Sequence, residues 1–124
     1  MDTLKISDDK QLKEIKEMFN KKFPHLKIEF FSEDHKEGEA SAYKSMYDDE
    51  LYLKDIRSVH NSGELSIDGH LKTSTLEGNF KDHYGVNVQV WRKSGNMWLQ
   101  TTTTDDWTLS QQEAKGVEYD PNAQ

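Results

Sequence analysis

The side chains equipped to do chemistry here are acids, histidines and hydroxyls, because the chain has no cysteine. That removes disulfides, thiolate metal sites and cysteine nucleophiles. Glu33, Asp34, His35, Glu37 and Glu39 crowd one stretch, but without the alternating oxygen ligands of a calcium loop. They read as part of a solvated polar loop over 32–41. The histidines, at 25, 35, 60, 70 and 83, include no pair three to five residues apart, so no histidine zinc motif is written in the sequence. No metal ligand and no cofactor is assigned.

Two aspartate pairs, Asp48 with Asp49 and Asp105 with Asp106, are the acid-base candidates. Adjacent aspartates on a strand point to opposite faces, whereas just ahead of a helix both can serve its first amides and its dipole. Each pair precedes such a start (DDELYL at 48–53, TDDWTL at 104–109), so capping is the expected role. There is no phosphate loop, dinucleotide fingerprint or GxSxG elbow, and Thr101 to Thr104 have the propensity of a strand end. No catalytic residue is assigned. Arg92 and Lys93 beside Trp91 and Trp98 have the stacking-plus-cation chemistry of a single-strand nucleic-acid patch. The formal net charge of -7 opposes it, since phosphate neutralisation supplies most such affinity. A nucleic-acid partner is not expected.

The elements that must position these groups are set by periodicity. Over 7–23, Leu12, Ile15, Phe19 and Phe23 recur at helical spacing, with Ser7, Asp8 and Asp9 as expected caps and Pro24 as the stop. The period then drops to two: Leu26, Ile28 and Phe30 alternate with Lys27, Glu29 and Phe31. About sixty residues later the order returns. Ser74 to Glu77 has the form of a capping box, Leu76, Phe80 and Tyr84 make the stripe, and Gly85 stops it. Val86, Val88 and Val90 then alternate with Asn87, Gln89 and Trp91, and Lys93 to Asn96 form a hairpin connection into another strand over Met97 to Gln100.

Short alternating segments precede both helices, at Leu4 with Ile6 and at Leu65 with Ile67. The expected fold is therefore α+β: two pseudo-repeated β-α-β-β units sharing one core, with helices on one side of a mixed or antiparallel sheet. The first unit spans about 3–57 and the second about 64–113, within a single domain over 1–116. The last strand of the first unit is expected near 41–46, and 117–124 is expected to be a flexible tail. The length suits one core, and three Trp, five Tyr and five Phe supply it despite a mean hydropathy of -0.97.

The stretch over 63–113, with its short helix, its Val-rich strand and its TDDWTL segment, resembles a group of small bacterial proteins without an assigned activity. That resemblance implies a bacterial source and this architecture, and carries no chemistry. The DDWTL segment at 105–109 also resembles the Asp-containing turn of ubiquitin-type β-grasp units, a likeness of layout.

If the valines face the helices, Asn87, Gln89 and Trp91 face away, as do Lys27, Glu29 and Phe31, with Trp98 nearby on the next strand. These seven residues form the candidate binding face, on the expectation that it stays partly open. The competing reading gives these rings to the core or to a homodimer interface. The expected function is a non-enzymatic protein-binding or regulatory module. The alternatives are an acidic inhibitor that mimics nucleic acid, and an enzyme whose site is assembled only by folding. With no apolar run long enough to span a bilayer and no signal-peptide layout, a cytoplasmic protein away from membranes is expected.

Overall fold

The computed structural model describes residues 3–32 and 45–122. The order is β1 (Thr3–Ile6), α1 (Leu12–Lys22), β2 (Leu26–Phe31), a 3-10 turn at Leu53–Asp55, β3 (Gly63–Ser66), α2 (Thr73–Tyr84), β4 (Asn87–Ser94), β5 (Met97–Gln100) and α3 (Leu109–Glu118). The class is α+β. All strand pairing is antiparallel, and it falls into two sheets rather than one: β1 pairs β3, and the order of the second sheet is β2-β4-β5.

One hydrophobic cluster joins these pieces. Leu12, Ile15 and Phe19 of α1 and Leu76, Phe80 and Tyr84 of α2 meet Leu26, Ile28 and Phe30 of β2 and Val88 and Val90 of β4. Leu4, Ile6 and Leu65 of the smaller sheet and Ile67 just past β3 complete it. Phe30 and Phe80 meet edge to face at 6.0 Å between ring centroids, a geometry the ring quadrupoles favour. Both spans with the helix-then-strand pattern therefore feed the same interior.

The helix starts differ from the expected caps. Helix α1 begins after Gln11, whose amide donates to Glu14 Oε1 at 3.2 Å, while Asp8 is engaged elsewhere. Helix α2 begins at Thr73, so Ser74 is already helical and Glu77 is no capping glutamate; its side chain is buried against β4. Nor do the aspartate pairs cap the 3-10 turn or α3. The Asp49 carbonyl accepts Lys13 N and the Asp105 carbonyl accepts Ser74 N, so each stretch ties down the start of the unit's main helix. Thr108 caps α3, its Oγ1 accepting Gln111 N at 3.1 Å.

The two halves share one scheme of backbone bonds at these starts. Leu12 N donates to the Leu51 carbonyl and Leu53 N to that of Lys10; likewise Thr73 N donates to the Trp107 carbonyl and Leu109 N to that of Leu71. Beyond that the halves part. The second carries β5 and the ten-residue α3, and the first carries the 3-10 turn. Of the strand expected near 41–46, the Ser45 carbonyl accepts Ser32 N and Met46 bridges Phe31, while 41–44, like the acidic stretch 33–39, lies outside the described residues. Gly85 stops α2 at φ 69°, and Gly95 turns the β4–β5 hairpin at φ 62°, as their positions predicted. Helix α3 continues through Glu118, into the stretch expected to be a flexible tail.

Candidate functional site

Antiparallel register brings the seven candidate residues onto one face of the larger sheet. Lys27 stands opposite Trp91, Glu29 opposite Gln89 and Phe31 opposite Asn87, while Trp98 on β5 stands opposite Lys93. Because side chains alternate, these pairs lie on the face turned away from Val88 and Val90.

That face is closed at its centre, which fits the competing reading that places its rings in the core and not the partly open surface. Gln89 is 1% exposed, Trp91 2%, and Phe31 and Glu29 are also buried. The physical reason is that its polar groups have partners inside the fold. The Gln89 amide donates to Glu77 Oε2 at 3.2 Å. Glu29 takes Lys16 Nζ at 2.7 Å and Lys27 Nζ at 3.3 Å. The Lys27 ammonium in turn lies 5.2 Å from the Trp91 ring and 5.0 Å from that of Trp98, so two indoles flank one cation. Only Lys27, Asn87 and Trp98 of the seven are half-buried.

Exposure shifts to the rim. Strand β5 ends the sheet order, and on it Met97 is 65% and Leu99 40% exposed. Arg92 does not join Lys93 in a surface patch. It points to the other face, donating from Nη1 to Gln112 Oε1 at 2.6 Å and lying over the Trp107 ring.

Two clusters of titratable groups have no counterpart among the sequence motifs. Asp8 Oδ1 accepts Arg57 Nε at 3.1 Å and Nη2 at 2.9 Å, and Asp8 Oδ2 meets His60 Nδ1 at 2.6 Å. Desolvation works to raise the Asp8 pKa, but the hydrogen bonds from Arg57 and His60 outweigh it and hold the carboxyl below its usual range. Near this cluster a groove of about 540 Å³ opens between Asn61, Ser62, Glu64, Asn79, His83 and Tyr84.

In the second cluster His25 lies between two carboxylates of the C-terminal region. Its Nδ1 meets Glu113 Oε2 at 2.6 Å and its Nε2 meets Asp120 Oδ2 at 2.7 Å, while its backbone amide donates to Glu113 Oε1 at 2.9 Å. Asp120 first and Glu113 second raise the His25 pKa, and His25 in turn lowers that of Asp120. Both ring nitrogens are taken by carboxylates of the chain itself, so the ring serves as a link between elements of the fold. Among the described residues, no group of three or more His, Asp or Glu side chains is arranged to hold a metal ion. Nothing local flags either cluster, since His25 is 88 residues from Glu113 and Asp8 is 49 from Arg57.

The acids at 48–50 are also engaged: Lys13 Nζ meets Glu50 at 3.2 Å, Lys16 Nζ meets Asp49 at 3.6 Å, and Asp48 Oδ1 accepts Glu50 N. No helix among the described residues is long and apolar enough to cross a membrane. Comparison with known proteins returned no match, whether to a family model, a curated protein or a solved structure.

Proposed function

We propose that this protein is a non-enzymatic protein-binding or regulatory module, and that its contact is an extended segment of a partner protein laid along β5. The observation that carries this reading is the edge itself. Strand β5 closes the sheet order with Met97, Trp98, Leu99 and Gln100, and it has no charge, no proline and two exposed apolar side chains. Natural edges are usually blunted by lysine, proline or a bulge, because an open row of backbone groups invites another strand.

The hairpin register sets which groups are offered. Ser94 faces Met97 across the two-residue turn and Arg92 faces Leu99, so by alternation the Trp98 amide and carbonyl point to the open side. A partner strand pairing there would gain main-chain hydrogen bonds, and alternate side chains would decide specificity. Apolar side chains would pack beside Met97 and Leu99, and an acidic one would suit Lys93.

The test is a Trp98→Pro variant, which removes the outward amide and leaves the inward amides of Met97 and Leu99 to hold the hairpin. Partner capture from the source cell should lose specific partners with this variant while its circular dichroism matches the wild type. An identical partner set would remove the edge from consideration. A wild-type dimer in sedimentation that Trp98→Pro dissolves would assign the edge to a second copy of the chain instead.

A further inference from the structure

We propose that His25 is a pH-sensitive latch on α3: as an imidazolium it fastens the helix and the turn beyond it through Glu113 and Asp120, and loss of its proton releases Asp120. Donor count is the reason. Both carboxylates are acceptors, one at each ring nitrogen, at 2.6 and 2.7 Å. Only the imidazolium has two N–H groups, so only the charged ring can donate to both. A neutral ring keeps one donor and turns a lone pair toward the other carboxylate.

Asp120 is the partner that leaves. Glu113 also accepts the backbone amide of His25, at 2.9 Å, and so holds its place in either state. Its own helix keeps it there, whereas Asp120 lies past the end of α3, with its side chain also taking Asn122 N. The fold admits this close contact because Gly116 faces the ring: a Cβ there would come within 2.5 Å of His25 Cβ. Helix α3 can therefore lie directly against the start of β2.

The charges around the latch come from three sides. Glu113 and Asp120 belong to α3 and its extension, and Lys93 of β4 adds a cation that favours the Asp120 carboxylate while its backbone amide holds the His25 carbonyl at 2.9 Å. From the α1 side, Asn20 Nδ2 donates to the Pro24 carbonyl and fixes the segment that carries the histidine. Lys115 and Glu118 on α3 pair with each other. Across the neutral range the imidazole is thus the one member of the cluster whose charge changes.

The experiment is a pH titration of the full labelled chain by NMR, reading the His25 ring nitrogens and the amide protection factors at 117–120. The ring should titrate above the ordinary value of 6.5, and protection should fall with the same midpoint, by up to tenfold per pH unit for one coupled proton. An Asp120→Asn variant should keep the fold and lose that fall. A midpoint at or below 6.5, protection that stays flat through the titration, or the same fall in Asp120→Asn overturns the proposal. None of these outcomes depends on what binds at β5.

Discussion

Glu77 of α2 accepts the backbone amide of Val90 at 2.9 Å, supplying from a side chain the ladder bond next in line after β5 ends at Gln100. The same carboxylate takes the Gln89 amide, so one residue holds β4 at two points and keeps the closed face of the sheet closed. Replacing it by alanine strands a buried N–H, and Glu77→Ala should cost about 1–3 kcal/mol in urea denaturation. Glu77→Gln should recover part of that loss, since its carbonyl oxygen can still accept from Val90. Equal stability of all three proteins would show that water replaces the bond without penalty.

The Arg57 guanidinium is a wholly buried fork, with its side chain at 0% exposure. It serves Asp8, the Tyr84 carbonyl at 3.0 Å and the Asn61 carbonyl at 2.7 Å, and so joins the approach to α1 to the end of α2. Arg57→Ala should cost about 3 kcal/mol, the low end for a broken buried pair because Asp8 can turn to water. A lysine cannot reach three acceptors in a plane, and Arg57→Lys should recover less than half. Chemical denaturation of both variants checks this, and full recovery by lysine would mean that charge alone matters.

How far the sequence announces these contacts depends on the range of their cause. Period-two and helical patterns are local, so Leu26, Ile28, Phe30 and Val86, Val88, Val90 declared their inward faces, and Gly85 its left-handed turn. The register-paired set of Lys27, Glu29, Phe31, Asn87, Gln89, Trp91 and Trp98 was legible for the same reason. Its closure was not, because burial of Gln89 and Glu29 depends on Glu77 and Lys16 of the preceding helices reaching across to the strand, a side-chain contact that neither the helical nor the strand period expresses. Glu77 also shows a local pattern overridden: a Ser-x-x-Glu spacing reads as a capping box with Ser74 as the cap, yet the helix is capped at Lys72, two residues earlier, and the carboxylate is drawn to β4. The His25 and Arg57 clusters have no local trace at all.

The two clusters together shape stability against pH. Asp8 and Asp120 have lowered pKa values in the fold, so their contribution is full above the ordinary 3.8 and is lost as pH falls through the folded values. His25 is raised, so its contribution is full below 6.5 and is lost as pH climbs through its folded value. The urea midpoint should therefore hold a plateau between pH 3.8 and 6.5 and decline on both sides. His25→Gln should flatten the alkaline decline and leave most of the acid one, and Asp8→Asn should do the reverse. An alkaline limb unchanged in His25→Gln would assign that decline to other groups.

Glycine to alanine should have opposite signs in two of the helices. A glycine inside a helix costs roughly 0.5–1 kcal/mol relative to alanine through backbone entropy. At Gly78 in α2 nothing lies within 4 Å of the added carbon, so Gly78→Ala should stabilise by about that amount. At Gly116 in α3 the added carbon would lie 2.5 Å from His25 Cβ and 3.3 Å from the next ring-side carbon, neither at the end of a flexible chain. The helix must then back away from β2, stretching both carboxylate contacts, and overpacking of this kind costs about 1–3 kcal/mol. Gly116→Ala should accordingly destabilise despite its better helix propensity, and it should lower the His25 pKa toward the ordinary value as Asp120 and Glu113 recede. Thermal denaturation of both variants, with the ring titration of the second, tests this pair. Stabilisation by both substitutions would mean that α3 does not lie in van der Waals contact with His25.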